Sequence, residues 1–243
     1  MRNKAFPLVI LVGLFLLPVG VFADSLGTVT FNLYTAGGTE SWDPSTTGVL
    51  TGNNIAVKQI KGTGTQLNNN VILSLLDGFL SYTTSASSTW GWSTGAFTLT
   101  GCIVSTGLTL ENSGTCDANN PSNNPVLLSG NLQNVTMSAI GSNSANVNGS
   151  INGFINPLLA AEFGLSSSFS SGVMSNNLSS ASGFATDNAF TGATNTGGSV
   201  AAQAVSVSED WSVSFGFVFF GFTLGTFGLA SRLGALRCRG LLR

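Results

Sequence analysis

From Trp211 to Ser231 the chain reads WSVSFGFVFFGFTLGTFGLAS, twenty-one residues without a single charge. As a helix rising ~1.5 Å per residue, this stretch reaches about 31 Å, the hydrocarbon thickness of a bilayer. Burial as a core strand or helix is the competing reading. The length, the position near the end of the chain and the arginines that follow favour a transmembrane helix over 211–231. Trp211 sits at one edge, where indoles prefer the membrane interface, and Arg232 marks the other. Arginines behind a span stay on the cytoplasmic side, so residues 232–243 form a basic cytoplasmic tail and the residues before the span lie outside. Gly221 and Gly225 form a G-x-x-x-G, a spacing that permits close helix packing and is also common in membrane helices at large.

The amino end agrees with that orientation. Arg2 and Lys4 precede an unbroken apolar run from Leu8 to Leu17, then Pro18, then Val21-Phe22-Ala23 before Asp24. A positive start, an apolar core of about 7–15 residues and small residues at the cleavage point make a secretory signal peptide. The apolar core is shorter than the roughly 20 residues a spanning helix needs. Residues 1–23 are therefore expected to be removed between Ala23 and Asp24, with residues 24 onward exported.

Charge separates the middle from its ends. All ten acidic residues lie between Asp24 and Asp210, a stretch that keeps only Lys58 and Lys61 as cations, so its net charge is 2 − 10 = −8. No basic patch offers counterion release to phosphates, which argues against nucleic acid as a partner. Short segments alternate apolar and polar residues. Thr28 to Leu33 puts Val29, Phe31 and Leu33 on one face, and Ala96 to Thr100 and Val135 to Ala139 repeat the pattern. Period two with β-branched residues predicts half-buried strands. Gly37-Gly38, Gly52-Asn53-Asn54, Asp77-Gly78, Asn148-Gly149 and Asn152-Gly153 punctuate them, and such pairs supply the positive φ of tight turns. The expected fold is mainly β, an antiparallel β-sandwich-like domain over 24–165. One short helix is expected at Pro157–Phe163, with Asn156 as N-cap and Gly164 closing it. Residues 166–210 shift toward Ser, Gly, Asn, Ala and Thr and predict an irregular segment or stalk, above all over 191–199.

The chain contains no histidine, which removes Ser-His and Cys-His catalysis and imidazole metal sites. Glu40 with Asp43, and Glu111 with Asp117, are the carboxylate pairs close in sequence. Neither carries a glycosidase or calcium-loop signature, so they read as solvated loop acids, and no catalytic residue, cofactor or metal is expected. Trp90 and Trp92 share one strand face and would suit sugar stacking if exposed, or a core if buried. Cys102 and Cys116 flank a Gly-containing segment in an oxidising compartment and are expected to form a disulfide. Cys238 falls in the cytoplasmic tail, where a plain thiol or palmitoylation are the alternatives.

A hydrophobic helix followed by an arginine cluster, behind a signal peptide, resembles the PEP-CTERM class of bacterial sorting signals, which exosortase-type membrane proteases process. Ser208-Glu209-Asp210 occupies the place of the class's Pro-Glu-Pro motif, with Glu209 matching and both prolines absent; Arg232, Arg237 and Arg239 match the basic cluster. The resemblance covers roughly the last 35 residues and the signal peptide. It implies an exported protein delivered to the cell surface or extracellular matrix, often alongside exopolysaccharide, with an exosortase-like protease as a processing partner. The expected role is that of a non-enzymatic surface or matrix protein anchored or sorted through its carboxyl end. A carbohydrate-binding module is the alternative and a surface glycosidase the third.

Overall fold

A computed structural model describes residues 26–34, 37–104, 124–185 and 188–207. The signal peptide, Cys116, Glu111, Asp117, Glu209 and the span with its arginines therefore lie outside the described residues. Within them the chain is almost entirely strand: β1 (Leu26–Leu33), β2 (Thr39–Trp42), β3 (Val49–Thr63), β4 (Ile72–Ala86), β5 (Gly91–Val104), β6 (Val126–Ala139), β7 (Ser144–Ile155), β8 (Ser168–Phe169), β9 (Ser171–Ser179) and β10 (Phe190–Val205). One helix, α1 (Pro157–Glu162), interrupts them.

Every pairing is antiparallel, and the ladder runs β3-β4-β5-β6-β7-β9-β10. It then closes. β1 pairs β10 from Leu26↔Val205 to Leu33↔Gly198 and pairs β3 on its other edge. β2 continues the same position in the wall, again between β10 and β3. Counting β1 and β2 as one interrupted strand, this is an eight-stranded up-and-down barrel. The expectation of an antiparallel β domain holds. The two facing sheets of a sandwich are replaced by one sheet without free edges, because the first and last strands pair with each other.

The alternation places apolar residues inside. Val29, Phe31 and Leu33 of β1, Phe97 and Leu99 of β5, and Val135 and Met137 of β6 are all buried. The outer wall is mostly Ser, Thr, Asn and Gly, the reverse of the apolar-out pattern of outer-membrane barrels. Among the described residues no helix is long and apolar enough to cross a membrane.

Two sequence expectations are corrected. The Asn/Gly pairs are mostly not hairpin turns. Gly52-Asn53-Asn54 and Asp77-Gly78 lie inside β3 and β4, where Asn54 (φ 53°) and Asp77 (φ 49°) coincide with shifts in pairing register. They are β-bulges, which bend long strands around a barrel. Asn148-Gly149 and Asn152-Gly153 lie inside β7. Gly37-Gly38 falls in the break between β1 and β2. Most of the supposed stalk is also wall: β8, β9 and β10 take up 168–169, 171–179 and 190–205. Their inward positions include Ala193, Ala202 and Ala204, small side chains that look loop-like in sequence but pack fully against the bulky opposite wall.

Both ends of the barrel are covered. At the near end, where β1 begins and β10 finishes, α1 lies across the opening. Asn156 Oδ1 caps it by accepting from the Leu158 amide at 3.0 Å, Pro157 opens it, and Gly164 (φ 62°) follows it. Leu159, Phe163 and Leu165 are buried beneath. At the far end Trp42 and Trp92 meet edge to face with ring centroids 5.8 Å apart, and Phe184 packs on Phe190 at 5.2 Å.

Candidate functional site: a polar cluster inside the barrel

Both indoles of the far-end cap are held by one acceptor. The Asp43–Gly48 turn presents the Gly48 carbonyl inward, and Trp42 Nε1 and Trp92 Nε1 donate to it at 3.1 and 3.0 Å. Trp92 is 2% exposed and Trp90 9%. Neither offers a face to a sugar ring, so the pair is core and not a stacking platform. The physical reason is their place at the barrel end: Trp92 is the second residue of β5 and Trp90 stands just before the strand begins, where the chain turns in over the opening.

Inside the barrel lies a group the sequence reading placed in solvent. Glu40 of β2 is wholly buried. Tyr82 Oη of β4 donates to its Oε2 at 2.5 Å, and Asn176 Nδ2 of β9 donates to its Oε1 at 3.1 Å. Removal from water disfavours the charged carboxylate and pushes its pKa up to about 7, while the two donors partly offset that rise. Tyr82 rises well above the usual phenol range, from its own burial first and then from the neighbouring carboxylate. Asn176 Oδ1 and, on β10, Asn195 Nδ2 are buried with no hydrogen-bond partner, each an unsatisfied group of the kind that costs about 1–3 kcal/mol. Asn195 Oδ1 accepts from the Gly197 amide at 2.8 Å.

The Glu40–Asp43 pair does not converge. Glu40 points into the core, whereas Asp43 sits half-buried at the surface in the next turn and accepts from the Ser45 hydroxyl at 2.7 Å and the Ser45 amide at 2.9 Å. Those hydrogen bonds hold the Asp43 carboxyl below its usual range. Two carboxylates flanking one substrate bond need a shared cleft, and these two face different media. No cluster of three or more His, Cys, Asp or Glu suited to a metal occurs among the described residues. What the interior cluster can do is hold one proton near neutral pH, out of contact with solvent.

Cys102, near the end of β5, is buried with its Sγ 3.5 Å from Asn124 Oδ1. Its expected partner Cys116 lies outside the described residues. One signal in the sequence points to Glu40. It stands two residues before Trp42, so on a strand the two share a face, and an inward tryptophan carries the glutamate in with it.

The class defined by these observations is an up-and-down antiparallel barrel with an apolar filling, a polar outer wall and a protonatable cluster inside. Comparison with protein families, with curated proteins and with solved structures finds no match.

Proposed function

We propose that this chain is a non-enzymatic exported protein whose barrel is displayed outside the cytoplasmic membrane, anchored or sorted through its carboxyl-terminal helix and arginine tail. One observation carries the reading. The barrel begins at Leu26 and finishes at Val205, and these two residues are register partners in adjacent strands. Both flanking segments of the sequence therefore continue from the same end of the domain, an arrangement compatible with export behind a signal peptide and anchoring through the tail. The polar outer wall suits life in water at a surface. In this reading an exosortase-like protease removes the helix near Glu209, and the released barrel joins the extracellular matrix with its polysaccharide. The burial of Trp90 and Trp92 leaves the carbohydrate-binding alternative without the stacking residues on which it stood.

Fractionation of cells making the chain, with mass spectrometry of both mature termini, tests this. The expected product starts at Asp24 and sits in the membrane with Arg243 intact, or at the surface with its carboxyl end near Glu209. A soluble cytoplasmic product that keeps Met1 would overturn it.

A further inference from the structure

The exposed large apolar side chains of the barrel are unevenly distributed. Among the described residues, all but Tyr34 and Ile140 lie in the near half. Leu26 and Val205 face outward side by side across the β1–β10 ladder, 63% and 40% exposed. Val207 follows at 53%, its amide donating to the Gly164 carbonyl beside α1. Leu158 on the outer face of α1 lines a shallow groove with Leu67, and Phe154 at the end of β7 is 65% exposed. A monomer in water rarely gathers such residues at one end unless something covers them.

The length of chain beyond the barrel identifies the cover. Only residues 208–210 separate Val207 from Trp211, the first residue of the uncharged stretch. Four Cα–Cα steps span at most about 14 Å. If Trp211 rests at the membrane interface, the near end of the barrel cannot stand farther off than that, and the headgroup layer itself occupies several ångströms of the gap. We infer that the near end of the barrel is a membrane-docking rim, with Leu26, Phe154, Leu158, Val205 and Val207 inserting into the headgroup region of a phospholipid bilayer. The inference rests on the anchored reading of the tail and adds the orientation of the barrel on the membrane. A short tether also holds the rim at an effective concentration in the millimolar range, so a weak apolar contact is enough to keep it docked. Charge at this end selects the lipid. Lys61, one of the two lysines of the domain, pairs in register with Ile72 there, whereas Asp77, Glu162 and, in the tether itself, Glu209 and Asp210 are acidic, so the rim suits a zwitterionic surface and not an anionic one.

The test uses the full chain reconstituted in phosphatidylcholine vesicles, with and without bromine on the acyl chains. In the unmodified chain the bromine-sensitive part of the emission reports Trp211 at the anchor, since Trp42, Trp90 and Trp92 are buried at the far end of the barrel. Phe154→Trp and Leu158→Trp add an indole at the rim, and Ile140→Trp adds one at the far end. The expected result is that the emission added by the two rim variants falls by about half or more in brominated vesicles, as for groups seated at the headgroup–acyl boundary. The emission added by Ile140→Trp should be unchanged. If the chain floats with the vesicles and its own Trp211 is quenched, yet neither rim variant is quenched more than Ile140→Trp, the docking rim is refuted and the anchor stands. If the chain does not float with the vesicles, the anchored reading fails and the rim with it.

Discussion

Replacing Glu40 with Gln should remove most of the pH dependence of the protein's stability between pH 4.5 and 8.5. The folded protein holds the proton on Glu40 until about pH 7, whereas the unfolded chain releases it near the ordinary value of 4.5. A carboxyl with a raised pKa contributes stability that is fully present below the unfolded value and is lost as pH rises through the folded one. The difference, about 7 less 4.5, at 1.36 kcal/mol per pH unit, gives a loss of roughly 3 kcal/mol across the window. That is a large share of the total stability of an ordinary domain. No histidine titrates in this window, and Asp43, whose value is lowered, titrates below it. Urea unfolding of the full chain in mild detergent, followed through the buried tryptophans at several pH values, measures the slope. The wild-type midpoint should fall steadily toward pH 8.5. In Glu40→Gln, which keeps an acceptor for Asn176 Nδ2, it should stay nearly level and exceed wild type at the alkaline end. A wild-type midpoint flat across this range, or a slope that survives in Glu40→Gln, would refute the assignment of the proton to this cluster.

Three further outcomes are expected. Trp92→Ala should destabilise the barrel by about 3–5 kcal/mol in the same unfolding assay, since it empties a buried site, breaks the edge-to-face contact with Trp42 and removes one donor to Gly48. Gly198→Ala should cost about 1–3 kcal/mol or more, because the residue sits at φ 140° and its new Cβ would meet the backbone carbonyl of Ser175; a change below 0.5 kcal/mol would show that β9 and β10 yield easily there. Peptide mapping under non-reducing conditions should find Cys102 joined to Cys116, a loop of about 15 residues worth roughly 3 kcal/mol, and alkylation of both as free thiols would end that expectation.

The parts of this fold that were legible in the sequence were local ones. Alternation at 28–33, 96–100 and 135–139 lies in β1, β5 and β6 with the inward faces as read, and Asn156-Pro157 begins the one helix with the expected cap. What escaped the reading depended on distant partners. Whether a run of antiparallel strands folds into two sheets or closes on itself is decided by β1 meeting β10, a contact that no local pattern encodes. Gly52-Asn53-Asn54 and Asp77-Gly78 marked positive φ at Asn54 and Asp77, whereas Asn148-Gly149 did not, and the same backbone geometry serves bulges and turns alike. The small residues of β10 look like linker until the large side chains opposite are known. Glu40 looks like a loop acid until Tyr82 and Asn176, on strands far away in sequence, are seen to receive it.

The pairing of β1 with β10 also governs how the protein is made. Synthesis proceeds from the amino end, so β1 emerges early and finds β3 nearby as a first partner. Its other edge must wait for residues 198–205, nearly the whole domain later. Until then the growing sheet is an open ribbon with β1 and the newest strand exposed at its two borders, the arrangement most prone to pairing with a second chain. Contacts of such high sequence separation form slowly, and the final one locks all the others. A stall or truncation anywhere before Val205 therefore leaves a sticky, unclosed sheet and not a smaller version of the barrel.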